Sequence, residues 1–234
     1  MNRTIAIMQP YLFPYIGYFQ LIHAVDVFVF YDDVNFIKKG WVNRNKLWVN
    51  GKEYRFTVPL KKVSQNKMIC DVMVLKDENW LLQFFSTLQH YRKAPYFKDV
   101  LELLRSIFQA PYTSIADLSI ESVKQIADYL MLPTKFEISS QHYGATRTME
   151  KADRLIAIAK KRGIQKYINL SGGKPLYDKS YFSKQGIELI FMENELISYP
   201  QFGQTSLTGL SIIDVLMFNS KEATLQLIEQ YKLV

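Results

Sequence analysis

The sequence predicts an α/β fold: a mainly parallel, Rossmann-like sheet with helices on both faces, plus a β-hairpin and a helical insertion. Three observations predict it. Short runs rich in β-branched and aromatic residues alternate with helical periods near both ends of the chain, the pattern of parallel strands joined by crossover helices. Between residues 79 and 131 the apolar spacing changes to three and four residues. Asn50-Gly51 lies between two extended runs and suits the positive φ angles of a type I′ hairpin turn. The 234 residues are expected to form one compact unit, 1–234, with the hairpin around 45–60 and the insertion around 79–131.

The elements follow in order. Residues 4–8 form a strand that stops at Gln9-Pro10, and 27–31 form a second that stops at Asp32-Asp33. A loop stiffened by Pro10 and Pro14 and one short amphipathic helix join them. Residues 46–49 and 54–59 make the hairpin, and 67–75 alternate as a further extended segment. Three helices follow, divided by Pro95 and Pro111, and Ser114 with Asp117 forms a capping pattern at the start of the third. After Pro133 come a strand at 135–139, a helix from Glu150 to Arg162 stopped by Gly163, and a strand at 167–170. A Ser171-Gly172-Gly173 turn precedes a strand at 187–191. A loop rich in Tyr, Pro, Gln, Gly and Thr spans 198–209, and 211–231 are helical. Ser211 reads as an N-cap with Asp214 as the acidic residue of the first turn.

Composition narrows the function classes. A net charge of +7 favours an anionic ligand, but the basic residues are scattered in pairs such as Lys38-Lys39 and form no block, so a nucleic-acid groove is not expected. Cys70 is the one cysteine and sits among apolar residues, which excludes an internal disulfide and favours burial over catalysis. The three histidines lack ligand spacing, so no preformed zinc site is expected and no metal ligands are assigned, while any cofactor is left open. No stretch approaches the roughly 20 apolar residues of a membrane span. Only Arg3 precedes a short apolar run broken at Gln9-Pro10, which is not a signal peptide, so the cytoplasm is the expected compartment. Self-association is left open.

In open α/β sheets ligands bind at the carboxyl ends of the strands, and four polar groups fall there. Gln9, Tyr11, Tyr15 and Tyr18 form the first, beside a helix start whose free N–H groups suit an anion; the alternative is an aromatic-packed turn. Asp32 and Asp33 form the second, as general base, ribose ligand or simple turn residues. Lys38, Lys39, Trp41, Asn43, Arg44 and Asn45 form the third, with a planar guanidinium suited to phosphate and amides suited to sugar edges; an exposed basic loop is the alternative. The fourth is Ser171-Gly172-Gly173, a candidate phosphate cradle, with Arg147 and Arg154 upstream. It lacks P-loop spacing, and Lys174-Pro175 favours a turn over a helix start.

These residues carry a resemblance. IMQPYLFPYIGYFQLI, NRNKL, INLSGG followed by Tyr177, and LSIIDVLMFN together resemble the WbqC-like family, from the N-terminus to about Asn219. Members are commonly encoded among bacterial genes for O-antigen and other surface polysaccharides. The resemblance implies a role in modifying amino sugars or sugar nucleotides, with glycyl transfer to an amino sugar as one form. It marks Gln9, Asn43, Arg44, Asn45, Ser171 and Gly172 as motif positions. A shorter likeness links the first strand, turn and helix to the HIGH-motif nucleotidyltransferases, but the aligned tetrad is Tyr15-Ile16-Gly17-Tyr18, with neither histidine. Tyrosine is neutral at pH 7 and cannot supply imidazolium charge.

The expected function is therefore a transferase acting on a nucleotide-sugar or other anionic small molecule, a phosphate-bearing amino sugar foremost. Lys39, Arg44 and the 171–173 turn would bind the anion, Gln9 and the tyrosines would line the pocket, and Asp32 or Asp33 would accept a proton. The alternatives are a HIGH-like nucleotidyltransferase and a non-catalytic binding protein in polysaccharide assembly.

Overall fold

The computed structural model describes residues 3–149, 151–194, 197–203 and 206–234. Its centre is a six-stranded sheet of β1 (Thr4–Met8), β2 (Val27–Phe30), β5 (Lys135–Ile138), β6 (Lys166–Leu170), β7 (Glu188–Asn194) and β8 (Tyr231–Leu233). The order is β5-β2-β1-β6-β7-β8, parallel throughout except that β8 runs antiparallel along β7. Taken in chain order, the five parallel strands lie 3-2-1-4-5, as in a Rossmann half-fold, and the order reverses between β1 and β6.

Alternation along the strands builds a core on each face. Ile5, Ile7, Val27, Val29, Tyr167, Leu189 and Phe191 pack with α6 (Lys151–Lys161) and α7 (Lys179–Lys184). Ala6, Phe28, Phe30, Ile168 and Met192 face the larger core, which includes α1 (Ile16–His23), α4 (Ile115–Tyr129), α8 (Ile212–Phe218) and α9 (Lys221–Ile228). The strands therefore read as continuous apolar runs, as strands buried on both faces do.

Between β2 and β5 the chain leaves the sheet. It forms the separate hairpin of β3 (Arg44–Val49) and β4 (Lys52–Thr57), turning at Asn50 and Gly51 with φ of 50° and 78°. Then come α2 (Glu78–Thr87), α3 (Phe97–Gln109) and α4, and Ser114 with Asp117 makes the full capping box at the start of α4. An aromatic cluster of Phe56, Phe84 and Phe108 joins hairpin to insertion and receives Phe13 from the loop after β1.

Two expectations need correction, and two short helices were not expected. Residues 67–75 form no strand; they carry a 3-10 turn at Ile69–Asp71 and isolated bridges from Met68 to Asn35, Val74 to Leu60 and Met73 to Ser114. The C-terminal helical run divides at Asn219-Ser220, where Ser220 caps α9, and the chain ends as β8. The short α5 (Ser139–His142) and α7 lack the length to impose a period on the sequence. The expected helix start at Glu150 lies outside the described residues, as do Gln204 and Thr205 of the loop at 198–209.

Candidate functional site

The sheet opens where its order reverses. β1 pairs with β2 as far as Met8 with Phe30, and β6 pairs with β7 as far as Leu170 with Met192. Between β1 and β6 the ladder holds only Thr4 with Lys166 and Ile5 with Tyr167, so these strands part before their carboxyl ends. Gln9 follows one of them and Ser171 the other, so both turns stand at the carboxyl ends of these neighbouring strands.

The loop after β1 is pinned from beneath. Phe13 adopts a φ of 44°, unusual for a residue with a side chain, and its surroundings hold it there. Its carbonyl accepts from Asn45 Nδ2 at 2.7 Å and Ser211 Oγ at 2.8 Å, while its N–H donates to Ser122 Oγ. Asn45 also donates to the Leu12 carbonyl and is 4% exposed, so this motif residue clamps the loop from below. Tyr18 is fully buried and donates to the Gln9 carbonyl, fixing the turn rather than lining an open surface. Gln9, Tyr11 and Tyr15 remain partly exposed. Burial raises the pKa of all three tyrosines, so they are neutral donors at physiological pH.

Gly17 lies beneath side chains of the protein itself. A Cβ here would lie 2.4 Å from the Tyr15 ring and 2.3 Å from Asn194 Nδ2. Asn194, at the end of β7, donates to the Tyr15 hydroxyl at 3.0 Å. The close approach that glycine permits is made by the protein's own side chains.

The end of β2 holds the densest polar network. Asp32 and Asp33 are each 2% exposed. Asp32 accepts from the Ser139 and Ser140 hydroxyls and from the Ser140 N–H, all at the end of β5. Asp33 accepts from Ser139 and pairs with Arg154 at 2.6 Å and Arg147 at 3.2 Å. Arg154 is 3% exposed; it also bonds Thr146 and the Asp33 carbonyl and lies 4.6 Å from the centre of the Tyr31 ring. Burial alone would push the Asp33 carboxyl up, but the Ser139 hydroxyl and the two guanidiniums outweigh it and hold it below the usual carboxylate value. Such a group makes a poor base. Asp33 instead fixes Arg147, whose side chain is 43% exposed. Cys70 stands over the same network, and burial followed by the charges of Asp32, Asp71 and Asp33 raises its thiol to about 11, so it is inert near neutrality.

The segment leading into the hairpin covers the β1 loop, with the Leu12 N–H on the Trp41 carbonyl. Arg44 donates through Nε to the Gly40 carbonyl at 2.8 Å and lies over Trp41. Asn43 ties this segment to β4 through the Val58 carbonyl. Lys38 and Lys39 project into solvent, Lys39 with φ of 63°. At the end of β6, Ser171, Gly172 and Gly173 form a 3-10 turn; Gly172 faces open space, whereas a Cβ on Gly173 would meet Asn169 Nδ2 at 2.6 Å. Lys174 pairs with Glu193.

Ser211 caps α8 and Asp214 stands in its first turn, as expected, but Asp214 is fully buried and does more than complement the helix end. Its carboxylate accepts from Tyr91, Tyr199 and Gln201, and the Tyr91 hydroxyl in turn accepts the Trp48 N–H. A carboxylate inside the apolar run 210–218 was the sequence signal for this hub. Arg154, expected beside the 171–173 turn, stands instead on Asp33, 121 residues away, and Asn194 was not expected at the site, since its partner Tyr15 lies 179 residues away.

The chain is 24% identical over 224 residues to "Uncharacterized protein Rv1507c" of Mycobacterium tuberculosis, covering 94% of this chain and 96% of that one. No solved structure matches it. The model of the WbqC-like protein family matches residues 9–226, from Gln9 through α8 and into α9. The chain belongs to the WbqC-like protein family.

Proposed function

We propose that this protein is a transferase acting on a nucleotide-linked or phosphate-bearing amino sugar in surface-polysaccharide biosynthesis, with acyl or aminoacyl (glycyl) transfer as the reaction. One observation carries the reading. Arg44, which opens β3 beside the segment covering the loop after β1, and Arg147, in the loop after α5, are each held through Nε. Neither terminal amino group of either fork has a hydrogen bond to a described residue, so each fork is oriented and free to take an oxyanion bidentately. Family membership and the cleft between β1 and β6 support the same reading.

In this scheme the two guanidiniums hold the phosphates, with Lys39 and the 171–173 turn beside them. Gln9, Tyr11 and Tyr15 offer neutral hydrogen bonds to the sugar. The attacking amine forms the new C–N bond as the acyl group's bond to its carrier breaks; the bonding pair leaves with the carrier, and the amine's proton passes to the carrier's departing atom. Orientation of amine against acyl carbon supplies much of the acceleration, which suits a site whose Asp33 carboxylate positions Arg147 rather than accepting a proton. The test is calorimetric titration with UDP- and dTDP-linked amino sugars, followed by mass spectrometry of the sugar after incubation with acyl donors. Saturable binding that Arg44→Ala weakens about tenfold or more, about 1.4 kcal/mol, is expected. No saturable binding by any of them, or binding indifferent to Arg44, would overturn the proposal.

A further inference from the structure

A second cavity, of about 440 Å³, lies at the far end of the hairpin, and none of its lining residues belongs to the strand-end cleft. Three separate segments wall it: Trp48 and Asn50 from the hairpin, Gln89 to Lys93 from the turn after α2, and Phe202 from the loop after β7. The Asp214 hub ties these segments together. Tyr91 takes the Trp48 N–H and donates to Asp214, and Tyr199 and Gln201, just before Phe202, donate to the same carboxylate. A buried carboxylate is costly unless its partners are fixed, and here fixing them also fixes the cavity walls.

The lining has a definite chemistry. Arg92, Lys93 and His90 are exposed on one wall, and no carboxylate lines the cavity. Arg44 and Lys46 lie on the same face of β3 as Trp48, and Lys46 is paired at 2.7 Å with Glu53, which faces Trp48 from β4. Trp48 and Phe202 meet at 5.3 Å with their planes 63° apart. That is a corner rather than a parallel slot, and it suits a puckered ring with C–H faces better than a flat base between two rings. The amides of Asn50 and Gln89 can both donate and accept, as hydroxyls require. The volume falls in the range of small-ligand pockets, roughly 300–1,000 Å³.

We infer that this cavity is a second binding site, for a pyranose carrying a phosphate. The anion sits on Arg92 and Lys93, the ring rests in the Trp48–Phe202 corner, and the amides take its hydroxyls. The probe is glucose 1-phosphate, titrated calorimetrically into the full chain, with tryptophan emission followed in parallel. Saturable binding is expected, at least tenfold tighter than that of glucose or inorganic phosphate alone. The double variant Arg92→Ala/Lys93→Ala changes two exposed residues, so its melting temperature should match the parent while affinity falls at least tenfold. Arg147→Ala should leave this binding unchanged, which separates the cavity from the strand-end site whatever happens there. No saturable binding, equal affinity for inorganic phosphate, tighter binding of UMP, indifference to the double variant, or loss on Arg147→Ala would each overturn the assignment.

Discussion

Asp33 and Asp214 are both closed off from solvent, yet their surroundings treat them in opposite ways. Asp33 has two guanidiniums and a serine; Asp214 has only neutral donors, two tyrosines and a glutamine. Desolvation acts on both. At Asp33 the Ser139 hydroxyl together with the two guanidiniums overcomes it and the carboxyl titrates low, whereas at Asp214 the neutral donors alone do not and it titrates high. The difference teaches what each is for. A carboxylate paired with a buried and an exposed arginine leaves one cation oriented at the surface, and one bonded to neutral groups from three segments holds those segments together.

Breaking the charged region should cost most. Asp33→Ala leaves Arg154 buried without its partner, and a loss of about 3–5 kcal/mol is expected in urea unfolding. The neutral region should prove softer: Tyr91→Phe removes one donor to Asp214 and strands the Trp48 N–H, for about 1–3 kcal/mol by the same measurement.

The pH profile sharpens the contrast through opposite signs. The folded Asp33 pKa is depressed, so its contribution is complete above the ordinary carboxylate value of about 3.9 and is lost as pH falls through the lower folded value. The folded Asp214 pKa is raised, so between about 3.9 and that higher value stability falls as pH rises. Urea midpoints across this range should show Asp33→Asn flattening the acid limb and Asp214→Asn flattening the opposite slope. The smallest effect is expected at the exposed arginine, where Arg147→Ala should change stability by less than about 1 kcal/mol in the same experiment.

Much of this fold was legible because its signals are local. Proline and glycine punctuation placed the loop after β1, Asn50-Gly51 placed the hairpin, and Ser114 with Asp117 placed the start of α4. The site was legible only in its outline. Gln9, Arg44 and Ser171 were placed near strand ends by position in sequence, but their roles depend on distant partners. Asn45 read as a sugar-binding amide because nothing nearby shows that Leu12 and Phe13 offer it carbonyls. Asp33 read as a base because Arg154 lies 121 residues away. β8 was hidden within helical periodicity, since three residues at a sheet edge impose no pattern of their own.

The central claim is that a buried carboxylate presents Arg147 to an anionic sugar ligand at the strand ends. Calorimetric titration of a dTDP- or UDP-linked amino sugar into the parent chain, Arg147→Ala and Arg147→Lys tests it most directly. The account predicts that alanine lowers affinity about tenfold or more, that lysine does not restore it because the planar fork is gone, and that both variants melt with the parent. Equal affinity in all three proteins, or full recovery with lysine, would contradict it.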